Sequence, residues 1–182
     1  MVGYSPVSVP KKSNGGRTKP KKAKLILFRL NDVKTFPTPD EKGVLIKENL
    51  VLQTGAKAFF LETTASTISV GQTSEGDPDN KGFKQKIEFS RPGSDDVEFE
   101  EFMNEDLCCI IEYQLSGKKK LAGYPGNPLQ LTTESTDNNE GDVNKVTLES
   151  VLRGSRIYFY EGEMPVIDGV DEPTGSGSSE SV

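Results

Sequence analysis

The sequence predicts a mainly β domain, a sandwich or barrel of antiparallel strands with one amphipathic helix packed against it. Short runs of aliphatic, aromatic and β-branched residues recur between turn signals, at a spacing of about 8–12 residues that is typical of such folds. One run alternates cleanly: Phe83, Gln85, Ile87 and Phe89 share a face, and Lys84, Lys86, Glu88 and Ser90 take the other. Only one segment has a helical period, with Phe99, Phe102 and Met103 at i, i+3 and i+4.

In chain order, Lys24–Leu30 is a short aliphatic strand closed by Asn31-Asp32, and Thr35–Gly43, with two prolines, is loop. Val44–Leu52 and Lys57–Thr64 read as a strand pair around Gln53–Ala56, with Ala65–Val70 continuing in β-branched residues and Gly71–Asn80 a polar loop. The alternating strand follows and stops at Arg91-Pro92-Gly93. Ser94 is then an N-cap with acids in the first turn, so that 95–104 is the helix. Leu107–Leu115 reads as a fully buried strand and Lys118–Tyr124 as its hairpin partner across Ser116-Gly117. Pro125–Pro128 turns into the strand Leu129–Thr133, and Glu134–Asp142 is a polar loop. Lys145–Leu152 and Arg156–Glu161 make a final pair around Arg153–Ser155. Two segments, Glu75-Gly-Asp77 and Glu140-Gly-Asp142, each precede a strand closing on Arg and Gly, a faint internal echo.

Charge divides the chain further. The first 24 residues carry Lys11, Lys12, Arg17, Lys19, Lys21, Lys22 and Lys24 and no acid, so this arm is +7. With those seven set apart, 15 of the 22 basic residues face all 28 acidic ones, a net of −13 hidden inside a total of −6. From Glu161 onward there are acids and no base, and after Thr174 the sequence is rich in Gly and Ser. The organisation read from this is a basic flexible arm at 1–23, a single β-rich domain at 24–165 and an acidic tail at 166–182. Opposite patches of this kind steer association and fix its register.

The chain contains no His. His is the side chain that titrates near neutrality and the commonest metal ligand, so Ser-His-Asp and Cys-His hydrolases and His-containing zinc sites are excluded. Cys108 and Cys109 are adjacent in a strand, where successive side chains point to opposite faces, so they read as buried, inert thiols. The paired carboxylates Asp95/Asp96 and Glu100/Glu101 fall on the solvated face of a helix. The expectation is a chain that performs no catalysis and takes no cofactor. No segment is apolar enough to span a membrane and no signal peptide is evident, which places the protein in a cytoplasm.

Two motifs point to ligands. Asp77, Asp79 and Glu88 match a calcium-loop spacing, but Lys81 stands where the third oxygen donor belongs and a strand follows where the motif needs a helix; a plain acidic β-loop fits the same residues. The arm could hook nucleic acid through phosphate neutralisation. It lacks interleaved aromatics, and the acidic body behind it repels phosphate, so an inter-subunit contact is the better use of its charge.

The Ser94–Met103 helix, the Leu107–Ile111 strand behind it, and the closing Val146–Ser150 and Ile157–Gly162 segments together resemble a bacteriophage tail tube subunit or a related virion tail or ring protein. The resemblance covers about 24–162 and rests on pattern, not on a diagnostic motif. It implies a non-enzymatic virion structural protein of the tail, assembled in the host cytoplasm. Its subunits would form stacked hexameric rings around a channel for DNA passage without specific binding, and would contact other tail or neck proteins. Other classes left open are a head–tail connector or adaptor, and a surface β-sandwich binding glycans through Tyr124, Tyr158 and Tyr160.

Overall fold

A computed structural model describes residues 18–93, 101–139 and 141–168, with Ser8 and Pro10. Twelve strands appear among them: β1 (Lys24–Arg29), β2 (Val33–Thr35), β3 (Leu45–Ile46), β4 (Val51–Leu52), β5 (Phe59–Glu62), β6 (Ser69–Glu75), β7 (Gly82–Pro92), β8 (Leu107–Glu112), β9 (Lys119–Ala122), β10 (Leu129–Asn138), β11 (Gly141–Ser150) and β12 (Tyr158–Tyr160). The class is mainly β and sandwich-like, as the patterning predicts. All but one of the strand pairings are antiparallel; β12 lies parallel to β3.

The main sheet forks at β8. One edge of β8 takes β1, with Ile26 opposite Ile110, and β1 in turn takes β5. Its other edge is shared: β9 pairs with Cys109–Glu112 and leads on to β12 and β3, whereas β10 meets β8 only at Leu129–Leu107 and leads to β11, β7 and β6. Gly123 marks the fork. Its φ of +78° is left-handed, and a Cβ there would sit 2.8 Å from the Leu107 carbonyl oxygen, so only glycine fits.

Forking lets the central strands bury both faces. Leu25 and Leu27 of β1, with Leu107, Cys109 and Ile111 of β8, enter one core cluster together with Ile87, Phe89, Val146 and Leu148. Ile26 and Phe28, with Cys108 and Ile110, enter a second cluster closed by Leu121, Tyr158 and Tyr160. The adjacent cysteines thus part to opposite sides of the sheet, both unpaired and fully buried. Burial in apolar surroundings pushes both thiols well above their ordinary range. Neither is expected to react with a thiol-specific chromogenic disulfide in the native protein, and both are expected to react in denaturant; rapid labelling without denaturant would contradict this burial.

Several local expectations are corrected. Residues 44–52 and 57–64 do not pair with each other: β3 goes to β12, β4 to β2 and β5 to β1. Residues 145–152 and 156–161 also part, β11 lying between β10 and β7 while β12 joins β9. The segments 71–80 and 134–142, expected as loops, are strand in half of the first and in most of the second. β6 continues to Glu75, and β10 and β11 run as one hairpin in register from Leu129–Ser150 to Asn138–Gly141. Ala65–Thr67 is a 3-10 turn instead of strand. Of the expected helix at 95–104, residues 95–100 lie outside the described ones and Glu101–Asn104 is a 3-10 turn. Its apolar contact does form: the Phe102 ring stacks on Phe59 at 4.2 Å, and Met103 packs against the first core cluster.

Candidate assembly surfaces

The basic arm meets the domain at its last residues. Lys11, Lys12 and Arg17 lie outside the described residues. Lys21 bridges to Tyr113 and its Nζ donates to the Ile68 carbonyl, the Lys22 N–H donates to the Glu112 carbonyl, and the Gln114 N–H donates to the Pro20 carbonyl. Lys22 and Lys24 form ion pairs with Glu112 at 2.6 Å and Glu62 at 3.2 Å, and Lys24 also lies over the Phe60 ring. Lys19 is exposed and carries no such partner among the described residues. Residues 20–22 therefore extend β1 along β8, next to the turn 113–118.

The calcium-type residues are not brought together. Asp77 and Asp79 occupy the exposed turn between β6 and β7, where Asp79 takes a left-handed φ of +67°. Glu88 lies six residues into β7, about 20 Å along the strand from that turn, and pairs with Lys86 at 3.0 Å. Among the described residues no group of three or more metal-ligating side chains is assembled.

The tyrosines suggested for glycan contact are placed otherwise. Tyr158 and Tyr160 are buried in the second core cluster, and Tyr124 packs edge-on against Tyr158. The Tyr160 hydroxyl donates to the Glu163 carbonyl at 2.7 Å and accepts the Leu50 N–H at 3.1 Å. Burial pushes the Tyr160 phenol above its ordinary pKa, an effect the Leu50 bond partly offsets. These rings hold loops to the core and present no stacking platform.

Two surfaces are left unpaired instead. The strands β10, β11, β7 and β6 form a four-stranded antiparallel unit reaching past the core. Among the described strands, β6 pairs only with β7, and β10 beyond Leu129 pairs only with β11. The 3-10 turn 101–104 leans on the start of β10, where the Thr133 hydroxyl meets the Met103 sulfur, but Glu134–Asn138 is exposed. Exposed polar and acidic side chains on such edges discourage indiscriminate pairing while leaving the backbone groups available.

The second surface lies at the β8–β9 turn. A cavity of about 480 Å³ there is bordered by Lys19, Tyr113, Leu115, Lys118, Lys120 and Phe159. It adjoins one of about 680 Å³ that shares Lys118 and Phe159 and adds Lys42 and Lys119. Nearby, Asp40 accepts the Val44 and Leu45 N–H groups at 2.7 and 2.9 Å, which, with Lys42 and Lys47, holds its carboxyl below the ordinary range. The lysines come from three separate segments, so no linear motif announces the patch.

No transmembrane-length apolar helix occurs among the described residues. Comparison with known protein families, with curated proteins and with solved structures returned no match to this chain.

Proposed function

We propose that this protein is a non-enzymatic structural subunit that assembles with copies of itself, as a phage tail tube subunit does in stacked hexameric rings around a DNA channel. The observation that carries the reading is the four-stranded unit β10-β11-β7-β6 with both outer edges unpaired among the described strands. An antiparallel sheet open at both edges can extend from subunit to subunit, the β6 edge of one copy facing the β10 edge of the next, and a fixed rotation closes such heterologous contacts into a ring. A net charge of −13 outside the arm supports a lumen that DNA crosses without being retained.

Mass measurement and electron microscopy of concentrated protein test the reading. Rings or tubes of a fixed subunit number are expected, and a strict monomer under all conditions overturns it. Replacing Ser135 on the exposed part of β10 with proline is expected to reduce ring yield at least several-fold while the domain still folds, because the register turns the Ser135 N–H to the open edge, where proline removes it without breaking the β11 ladder. Unchanged assembly in that variant would place the contact elsewhere.

A further inference from the structure

The cavity at the β8–β9 turn is unlike the rest of an acidic domain. Lys22, Lys24, Lys57, Lys84 and Lys86 each have a carboxylate within ion-pair distance. Among the described residues, Lys34, Lys47, Lys81 and Lys145 have none and are scattered, whereas Lys19, Lys118 and Lys120, also without one, border a single cavity. Its apolar border is equally open: Leu115 is 82% exposed and Phe159 40%. The Lys120 ammonium lies 5.7 Å from the ring centroids of both Tyr113 and Phe159, so cation and rings form one continuous surface. Unpaired ammonium groups around exposed apolar side chains suit an extended segment that alternates carboxylates with small apolar residues.

Residues 169–182 supply carboxylates and apolar side chains within a segment of which eight of fourteen residues are Gly, Ser or Thr. They hold Asp171, Glu172 and Glu180, with Val170, Pro173 and Val182 between or beside them, and no Lys or Arg. We propose that this acidic segment docks in the lysine–aromatic groove of its own chain.

The course of the backbone supports the same chain as the source. Ile167 forms a parallel bridge with Ala58, the Asp168 N–H donates to the Ala58 carbonyl, and Lys57 pairs with Asp168 at 3.1 Å. The chain at Asp168 therefore runs beside β5 in the same direction, toward Glu62. That end of β5 is level with Lys24 of β1, next to the Lys21–Tyr113 bridge at the groove. From the level of Ala58 to that of Tyr113 is about 17 Å along the strands, and crossing to β8 is three strand spacings, about 14 Å. Fourteen residues reach about 46 Å when extended, so the groove is within range. A tether this short holds an effective concentration of the order of millimolar, which favours its own groove over that of a free copy.

Zero-length carbodiimide coupling tests the proposal on a 1:1 mixture of unlabelled and 15N-labelled full-length chains at low micromolar concentration. Amide links from Glu180, twelve residues beyond Asp168 and so within reach, to Lys19 or Lys118 are expected, with both linked peptides carrying the same isotope. Links that pair the two isotopes statistically would assign the segment to a neighbouring copy and overturn the proposal, as would the absence of links. A second measurement uses a fluorescent peptide of residues 169–182. It is expected to bind the full-length variant Asp171→Asn/Glu172→Gln/Glu180→Gln at least tenfold more tightly than wild type, because that variant vacates the groove without adding positive charge; equal binding, or none to either, overturns the proposal. Ring assembly is a separate matter: tubes without intrachain links would refute only the docking, and links in a strict monomer would refute only the ring.

Discussion

Replacing Phe28 with alanine is expected to lower the unfolding free energy by about 3–5 kcal/mol, toward the upper end for a large-to-small change. Phe28 is fully buried, and its strand is paired to β8 on one side and β5 on the other. Its cluster partners Cys108, Ile110, Leu121 and Tyr158 sit on strands likewise fixed by pairing, so the space left by the ring has little freedom to collapse. Urea titration should show a lower midpoint with an unchanged slope. The same change at Phe89, which lies in the cluster on the other face, should add to it within about 0.5 kcal/mol, because the two sites share no partner. A loss below about 1 kcal/mol at Phe28 would mean that the second cluster repacks freely.

Gln85→Leu is expected to cost about 2–4 kcal/mol although it places an apolar residue of similar volume in a buried position. Gln85 is wholly buried on the apolar face of β7. Its carbonyl oxygen accepts the Gly123 N–H at 2.8 Å, and its amide donates to the Ser155 carbonyl at 3.0 Å. Gly123 stands at the fork of the sheet, so the side chain completes a ladder that β8 leaves unfinished there. Leucine would strand one buried donor and one acceptor, each costing about 1–3 kcal/mol. Ser150→Ala, which removes the acceptor of the buried Gln85 backbone N–H and a donor to the Leu152 carbonyl, should cost about 1–3 kcal/mol, chiefly through the stranded N–H. Thermal unfolding measures both; equal melting temperatures for wild type and Gln85→Leu would show that water or a backbone shift satisfies the fork.

Gln85 also shows what a sequence discloses and what it withholds. Alternation puts it on the inner face with Ile87 and Phe89, but its partners are 38 and 70 residues away, beyond the reach of any local pattern. The strands themselves were legible wherever apolar residues make them, as in β1, β7 and β8. Pairing was not. Val44–Leu52 and Lys57–Thr64 look like a hairpin because Gly55 lies between them, yet distant strands claim each segment: β12 takes β3, β2 takes β4 and β1 takes β5. The ends of β6 and β10 read as loops because Asn, Asp and Gly favour turns; a hairpin ladder supplies their backbone bonds without apolar side chains. The lysine groove was invisible for a related reason, since Lys19, Lys118 and Phe159 meet only after β1, β8, β9 and β12 have paired.

The burial of β8 on both faces has a consequence for how the domain forms during synthesis. Ile26 of the first strand can pair with Phe60 early, but its partner on the other edge, Ile110, is made much later, and the cluster around Phe28 is not covered until Tyr158 and Tyr160 arrive. Such non-local closure slows folding, because the entropy of closing long loops is lost before contacts repay it. A nascent chain halted between Glu112 and Ile157 would expose the inner rows of β1 and β8 together, so the domain completes itself in a late step near the end of its described chain.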